Sequence, residues 1–210
     1  MDKRSFAVTR RSLHGVAELV LAGPQYRTGG GITLRVVPGG FGTVADPDLR
    51  VHGAVLVTPT GSLPIEGSYA ELAAAAGVEA SRLDDVYSGG PMISPDERIE
   101  VDLEAVQVLL DAFTRGDAAL RDFASDETPV LWPEHFDVGI TSDEVNYGVS
   151  PGDDGIPEPY AYVGPWKPRT GDFWNAPFGA ARPMSELPDV AAVAEFFTTG
   201  QKLAGAPGTI

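Results

Sequence analysis

The chain contains no cysteine. A disulfide framework, a Cys-ligated zinc, an iron–sulfur cluster and a thiol nucleophile are therefore excluded. Positive charge is scarce: 15 Lys and Arg stand against 30 Asp and Glu, a formal net charge of -15. Such a chain is repelled by nucleic acid and by anionic membranes. No apolar run approaches the roughly 18 residues that span a bilayer. The start, Met1-Asp2-Lys3-Arg4-Ser5-Phe6, lacks the apolar stretch of a secretory signal. The expectation is a cytoplasmic protein with neither nucleic acid nor membrane as partner. Phosphate-loop chemistry is missing as well. The glycine runs at 29–31 and 39–40 are followed by no Lys-Ser/Thr pair and open no G-x-G-x-x-G helix, and no G-x-S-x-G elbow occurs.

What is present is an ordinary folded composition, 43% hydrophobic and 21% charged over 210 residues, with 25 glycines and 18 prolines that imply many turns. One α+β domain over 1–210 is expected, with 1–80 and 81–210 as its sub-lobes if it divides. The negative charge is uneven: residues 84–158 carry 3 basic and 19 acidic side chains. That is either a solvated acidic face or a field that attracts a cation or a basic partner.

Helical spacing begins at Leu13, Val16, Ala17 and Val20, with Thr9 or Ser12 as N-cap and Gly23-Pro24 as the stop. Alternation over 31–37, a short strand near 41–45 and shared parity of Leu49, Val51, Val55 and Val57 over 49–58 predict an antiparallel meander. Ser68 and Glu71 fit a capping box before an alanine-rich helix ended by Gly77. Asp102 should cap an amphipathic helix over 102–115, stopped by Gly116, and Asp189 a helix over 190–203; the tail from Gly205 looks frayed. Strands and helices do not alternate as βαβ units, which makes the class α+β with an antiparallel sheet.

The stretch 130–150 carries most information. Residues 136–140 and 145–149 read as a hairpin joined by Thr141-Ser142-Asp143-Glu144. Pairing Ile140 with Val145, Val138 with Tyr147 and Phe136 with Val149 makes one face wholly apolar. The other face then shows His135, Asp137, Gly139, Asn146, Gly148 and Ser150. Glycine weakens a strand, and inside one it often marks close approach of another group. Something is therefore expected against this face, either a ligand or another segment. The following residues 151–188 hold 8 prolines and six aromatics (Tyr160, Tyr162, Trp166, Phe173, Trp174 and Phe178) and read as an ordered loop folding back over the sheet. Tyr160–Val163 is a candidate extra strand within it.

Over this region, WPEHFD (132–137) and VNYGVSPGDDGIPEPYAYVGPW (145–166) resemble an uncharacterised bacterial family with a WP-x-HFD … SPGD-x-x-x-PEPY pattern, a domain of unknown function. The likeness covers about residues 129–166. It implies that 132–166 is one structural unit, and it implies no activity.

His135 and Asp137 are the candidate catalytic residues, an imidazole as general base oriented by a carboxylate. His135 can instead hydrogen-bond a crossing loop and do no chemistry, or join carboxylates among Glu134, Asp137, Asp153, Asp154 and Glu158 in holding a divalent metal. Asn146, Ser150, Asp153, Asp154, Glu158, Tyr160, Trp166 and Trp174 are the candidate ligand-binding residues. Ser150–Asp154 is turn chemistry first, and Glu158 reads as a salt-bridge partner of Lys167, Arg169 or Arg182. His14 and Glu18, at i and i+4, are expected as a surface pair. His52 is expected to be exposed. Tyr69–Val78 faintly suggests the first helix of a helix-turn-helix, but no basic recognition helix follows.

The expected function is binding of a small molecule, cationic or amine-bearing, or of a metal ion, between the 135–150 hairpin and the 151–188 loop, with an enzymatic step left open. The alternative is a non-enzymatic acidic module that docks a basic partner. The sequence names no cofactor, substrate or oligomeric state.

Overall fold

In a computed structural model that describes residues 2–205, the chain is α+β, with five α-helices and ten strands paired antiparallel. The expected class therefore holds. The described residues form two compact units, each assembled from separate stretches. The first is the chain up to Asp111 together with Leu131–Phe136. The second is Ala112–Val130 together with the chain from Asp137. Neither coincides with the 1–80 and 81–210 division.

In the first unit a long helix runs almost unbroken, as α1 (Lys3–Gly15), a π-helical segment (Val16–Ala22) and α2 (Gly23–Arg27). It starts ten residues before the expected stretch because Asp2, not Thr9 or Ser12, caps it; its side chain accepts from the Ser5 amide at 3.2 Å. Thr9 and Ser12 instead turn sideways. Their hydroxyls accept from the main-chain N–H of Asp102 and Glu100, at 2.9 and 3.0 Å. Pro24 does not stop the helix. It is the second residue of α2, in the first turn, where a proline is tolerated. Buried Gln25 closes the far end: its amide donates to Gly31 and Thr33 carbonyls and accepts from the Val44 and Ala45 amides.

The meander is present as β1 (Leu34–Val37), β2 (Gly40–Thr43), β3 (Arg50–His52), β4 (Val55–Thr58) and β5 (Gly61–Pro64), each paired with the next, with the expected stretch 49–58 folded on itself by a turn at Gly53, φ 57°. β6 (Val130–Trp132) pairs with β1 on the other side. Leu34, Phe41, Val51 and Leu56 bury one face, and His52 is exposed as expected. The capping box of α3 (Tyr69–Ala75) forms with both its bonds, Ser68 Oγ to the Glu71 amide and Glu71 Oε2 to the Ser68 amide. Gly77, at φ 77°, follows it.

α4 (Leu103–Phe123) is capped by Asp102 as expected but runs through Gly116. Gly116 is a packing residue: a Cβ there would lie 2.7 Å from Val149 Cγ2. The missing side chain lets Val149 of the sheet approach the helix.

The second unit is a four-strand ladder of β7 (Asp137–Ser142), β8 (Val145–Ser150), β9 (Tyr160–Pro165) and β10 (Ala180–Pro183). The expected strand at Tyr160–Val163 is thus real. α5 (Val190–Gly205), capped by Asp189, uses Gly200 against Val163 just as α4 uses Gly116 against Val149. Tyr147, Phe123 and Phe197 meet between helices and strands at 4.7–6.1 Å between ring centroids. The expected fraying from Gly205 falls largely outside the described residues.

Candidate functional site

The hairpin exists, in a register two residues from the expected one. Ile140 pairs with Tyr147, Val138 with Val149, and Gly139 with Gly148. The turn is only Asp143-Glu144, both at positive φ (52° and 63°), the backbone of a type I′ hairpin turn. A slip of two preserves parity, so the apolar face is still Val138, Ile140, Val145, Tyr147 and Val149, all buried. β7 begins at Asp137. Phe136, at φ 54°, breaks the extended backbone, so His135 does not share the hairpin face.

The two glycines do mark close approach, and the visitor is Tyr162 of β9. A Cβ on Gly148 would lie 2.5 Å from the Tyr162 hydroxyl oxygen, and one on Gly139 2.9 Å from it. The phenol crosses the cleared strip and donates its hydroxyl to Asp137 Oδ2. Burial, followed by the Asp137 charge, holds the Tyr162 pKa well above that of a free phenol. Beside it, Tyr160 donates to Asp153 Oδ2 at 2.6 Å. Asp153 Oδ1 takes the Gly155 and Ile156 amides at 2.7 and 2.8 Å, and Ser150 Oγ takes the Gly152 amide at 3.1 Å. Ser150–Asp154 is thus an ordered turn. Phe178 stacks on Tyr160 and stands edge-on to Tyr162, at 6.1 and 6.5 Å. The chain itself fills the clearing.

Other expected residues sit elsewhere. Glu158 accepts from Ser185 Oγ at 2.8 Å, while Lys167, Arg182 and Arg169 are engaged by Glu144, Glu186 and the Ala204 carbonyl. Asp154 is exposed, and Trp174 packs edge-on to Phe173 at 5.0 Å. The His135 side chain, 68% exposed, faces Glu134 at 4.0 Å in the turn after β6, whereas Asp137 is buried and bound by Tyr162. Among the described residues no three His, Asp or Glu converge to hold a metal ion.

In the first unit, His14 and Glu18 are not a surface pair. His14 Nε2 donates to the Pro133 carbonyl at 2.7 Å, and its ring stacks on Phe136 at 5.2 Å. Burial drives its pKa down to about 4, so the ring is neutral at pH 7. Glu18 is 2% exposed and accepts the Tyr87 hydroxyl at 2.9 Å.

The open part of the hairpin face lies toward its turn. Asn146 Oδ1 accepts from Thr141 Oγ1 at 2.8 Å and from the Trp166 indole N–H at 3.3 Å. An indole N–H can only donate, which fixes the amide: Oδ1 takes the bonds from Thr141 and Trp166, and Nδ2 is bonded to neither. Trp166 is 63% exposed yet anchored, since its main-chain N–H also donates to the Glu144 carbonyl at 2.9 Å. Gly164 of β9 lies opposite Asn146, and a Cβ there would meet nothing closer than 3.4 Å. Phe178, 43% exposed, carries the carbonyl at that distance.

Against protein-family models, curated proteins and solved structures, the chain matches nothing. Asn146 and Trp166, both expected from the sequence at the candidate site, are brought together by the structure. Thr141 was hidden by the assumed four-residue loop, and Tyr87 by an irregular segment whose one cue was an aromatic beside Gly89-Gly90. A groove of about 520 Å³ by the start of α1, lined by Asp2, Arg4, Thr9 and Glu100 among others, contains none of the expected site residues.

Proposed function

We propose that this protein binds a small neutral hydroxylated ring, a pyranose-like sugar, on the ledge formed by Trp166, Asn146 and Thr141. The supporting observation is the fixed Asn146 amide beside an exposed, anchored indole. The electron-rich indole face attracts the C–H face of such a ring. Asn146 Nδ2 offers two donors. Thr141, whose hydroxyl hydrogen goes to Asn146, keeps lone pairs to accept. Adjacent donors and acceptors match hydroxyl groups, which do both. A cation has no use for the amide donors. An anion finds Lys167 already held by Glu144 at 2.8 Å.

This keeps the expected placement, hairpin against 151–188 segment, and moves the site from His135 and the glycine strip to the turn end. Isothermal titration with a panel of methyl pyranosides and disaccharides tests it. At least one sugar should bind wild type, and Trp166→Ala should lose that binding by tenfold or more. A panel with no binder, or equal binding by Trp166→Ala, contradicts the reading.

A further inference from the structure

Glu18 lies in the first turn of the π-helical segment Val16–Ala22, every residue of which is buried. π turns inside helices concentrate at functional positions. Its carboxylate accepts the Tyr87 hydroxyl at 2.9 Å and a bond from the main chain of Leu83. Both are neutral donors. The Arg82 guanidinium is engaged by Asp84 at 2.8 Å, and among the described residues no lysine or arginine is ion-paired with Glu18. A carboxylate has about four acceptor positions, and a buried one without a cation is costly. Here two positions are used and the charge is unmatched.

The cover over Glu18 is thin and built of small residues. A Cβ on Gly90 would lie 2.6 Å from Glu18 Oε2 and 2.9 Å from the Tyr87 ring. Ser88 and Gly89 are exposed, with Gly89 at φ 100°, and Met92 closes the turn at φ 52° and 69% exposure. We propose that Glu18 and Tyr87 form a binding site for a small primary ammonium group, reached by displacement of the 88–92 turn. The ammonium donates to the open positions on Glu18 and to the Tyr87 oxygen, which keeps its own hydrogen on Glu18. A divalent metal would need further ligands, and no three-ligand group occurs among the described residues. Burial, reinforced by the Asp84 charge, raises the Glu18 pKa against the bonds from Tyr87 and Leu83 and the weak pull of Arg82, the direction of a carboxylate short of a cation. This site is in the first unit and independent of the Trp166 ledge.

The test is thermal denaturation of the full chain with ethylammonium chloride, against sodium chloride and tetramethylammonium chloride at equal ionic strength, alongside amide NMR. Ethylammonium should raise the Tm beyond both controls and shift the Gly89 and Gly90 amides saturably. Glu18→Gln, which keeps the shape and removes the charge, should respond to ethylammonium as to sodium. Gly90→Ala, which keeps the carboxylate but crowds it, should lose most of the response. Indistinguishable salts in wild type, or an undiminished response in Glu18→Gln or Gly90→Ala, overturns the proposal.

Discussion

His14 shows at the scale of one residue how burial becomes pH dependence. The folded chain keeps it neutral down to about pH 4, whereas an unfolded chain takes up that proton near 6.5. Between these values the unfolded state holds more protons, so stability falls as pH falls through the window and levels off below it. The full effect is on the order of 3 kcal/mol. His14→Gln, which can still donate to the Pro133 carbonyl, should flatten that limb in urea melts taken between about pH 4 and 7. An unchanged slope would mean the imidazole is more hydrated than its place against Phe136 indicates. His14 was visible in the sequence as half of an i,i+4 pair, but its partner was not. The Pro133 carbonyl is 119 residues away, beyond the reach of any local pattern.

At the scale of the element, faces were more legible than ends. The apolar face of the β7–β8 hairpin followed from period-two alternation and survived a two-residue change of register. The turn did not, because Asp143-Glu144 lacks the glycine that marks a type I′ turn and takes positive φ at two ordinary residues. Replacing the pair by Asn-Gly should therefore stabilise the protein, by about 1 kcal/mol, read as a rise in urea midpoint. A loss would show that the Glu144–Lys167 pair outweighs the relief of strain. Gly116 misled for a related reason. A glycine that ends a helix and one that admits a neighbouring strand look alike in sequence, and only Val149 distinguishes them. The glycines at 139 and 148 were read correctly as clearings, yet no local signal identified Tyr162 as the occupant.

On the scale of the molecule, the acidic stretch 84–158 does not become a body of its own. Sorted by compact unit, the charges are 9 basic and 16 acidic in the first and 6 and 14 in the second, so both units are negative to a similar degree. Self-repulsion of this kind weakens the folded state until salt screens it. The Tm should rise between about 0.01 and 0.5 M sodium chloride; a flat or falling Tm would mean the opposite charges are already locally balanced. The α+β class was legible because strand and helix periods are local, whereas the discontinuous units depend on contacts across long stretches of chain. No helix is long and apolar enough to cross a membrane among the described residues. The exposed but anchored Trp166 indole and its partner Asn146 amide form the proposed binding surface. It is tested most directly by 1H–15N NMR of the three tryptophan indole N–H groups and the Asn146 side-chain amide during titration with a methyl pyranoside that binds. Saturable shifts at Trp166 and Asn146, with Trp132 and Trp174 unmoved, are the expected result. Stationary Trp166 and Asn146 signals, or equal movement of all three indoles, would contradict it.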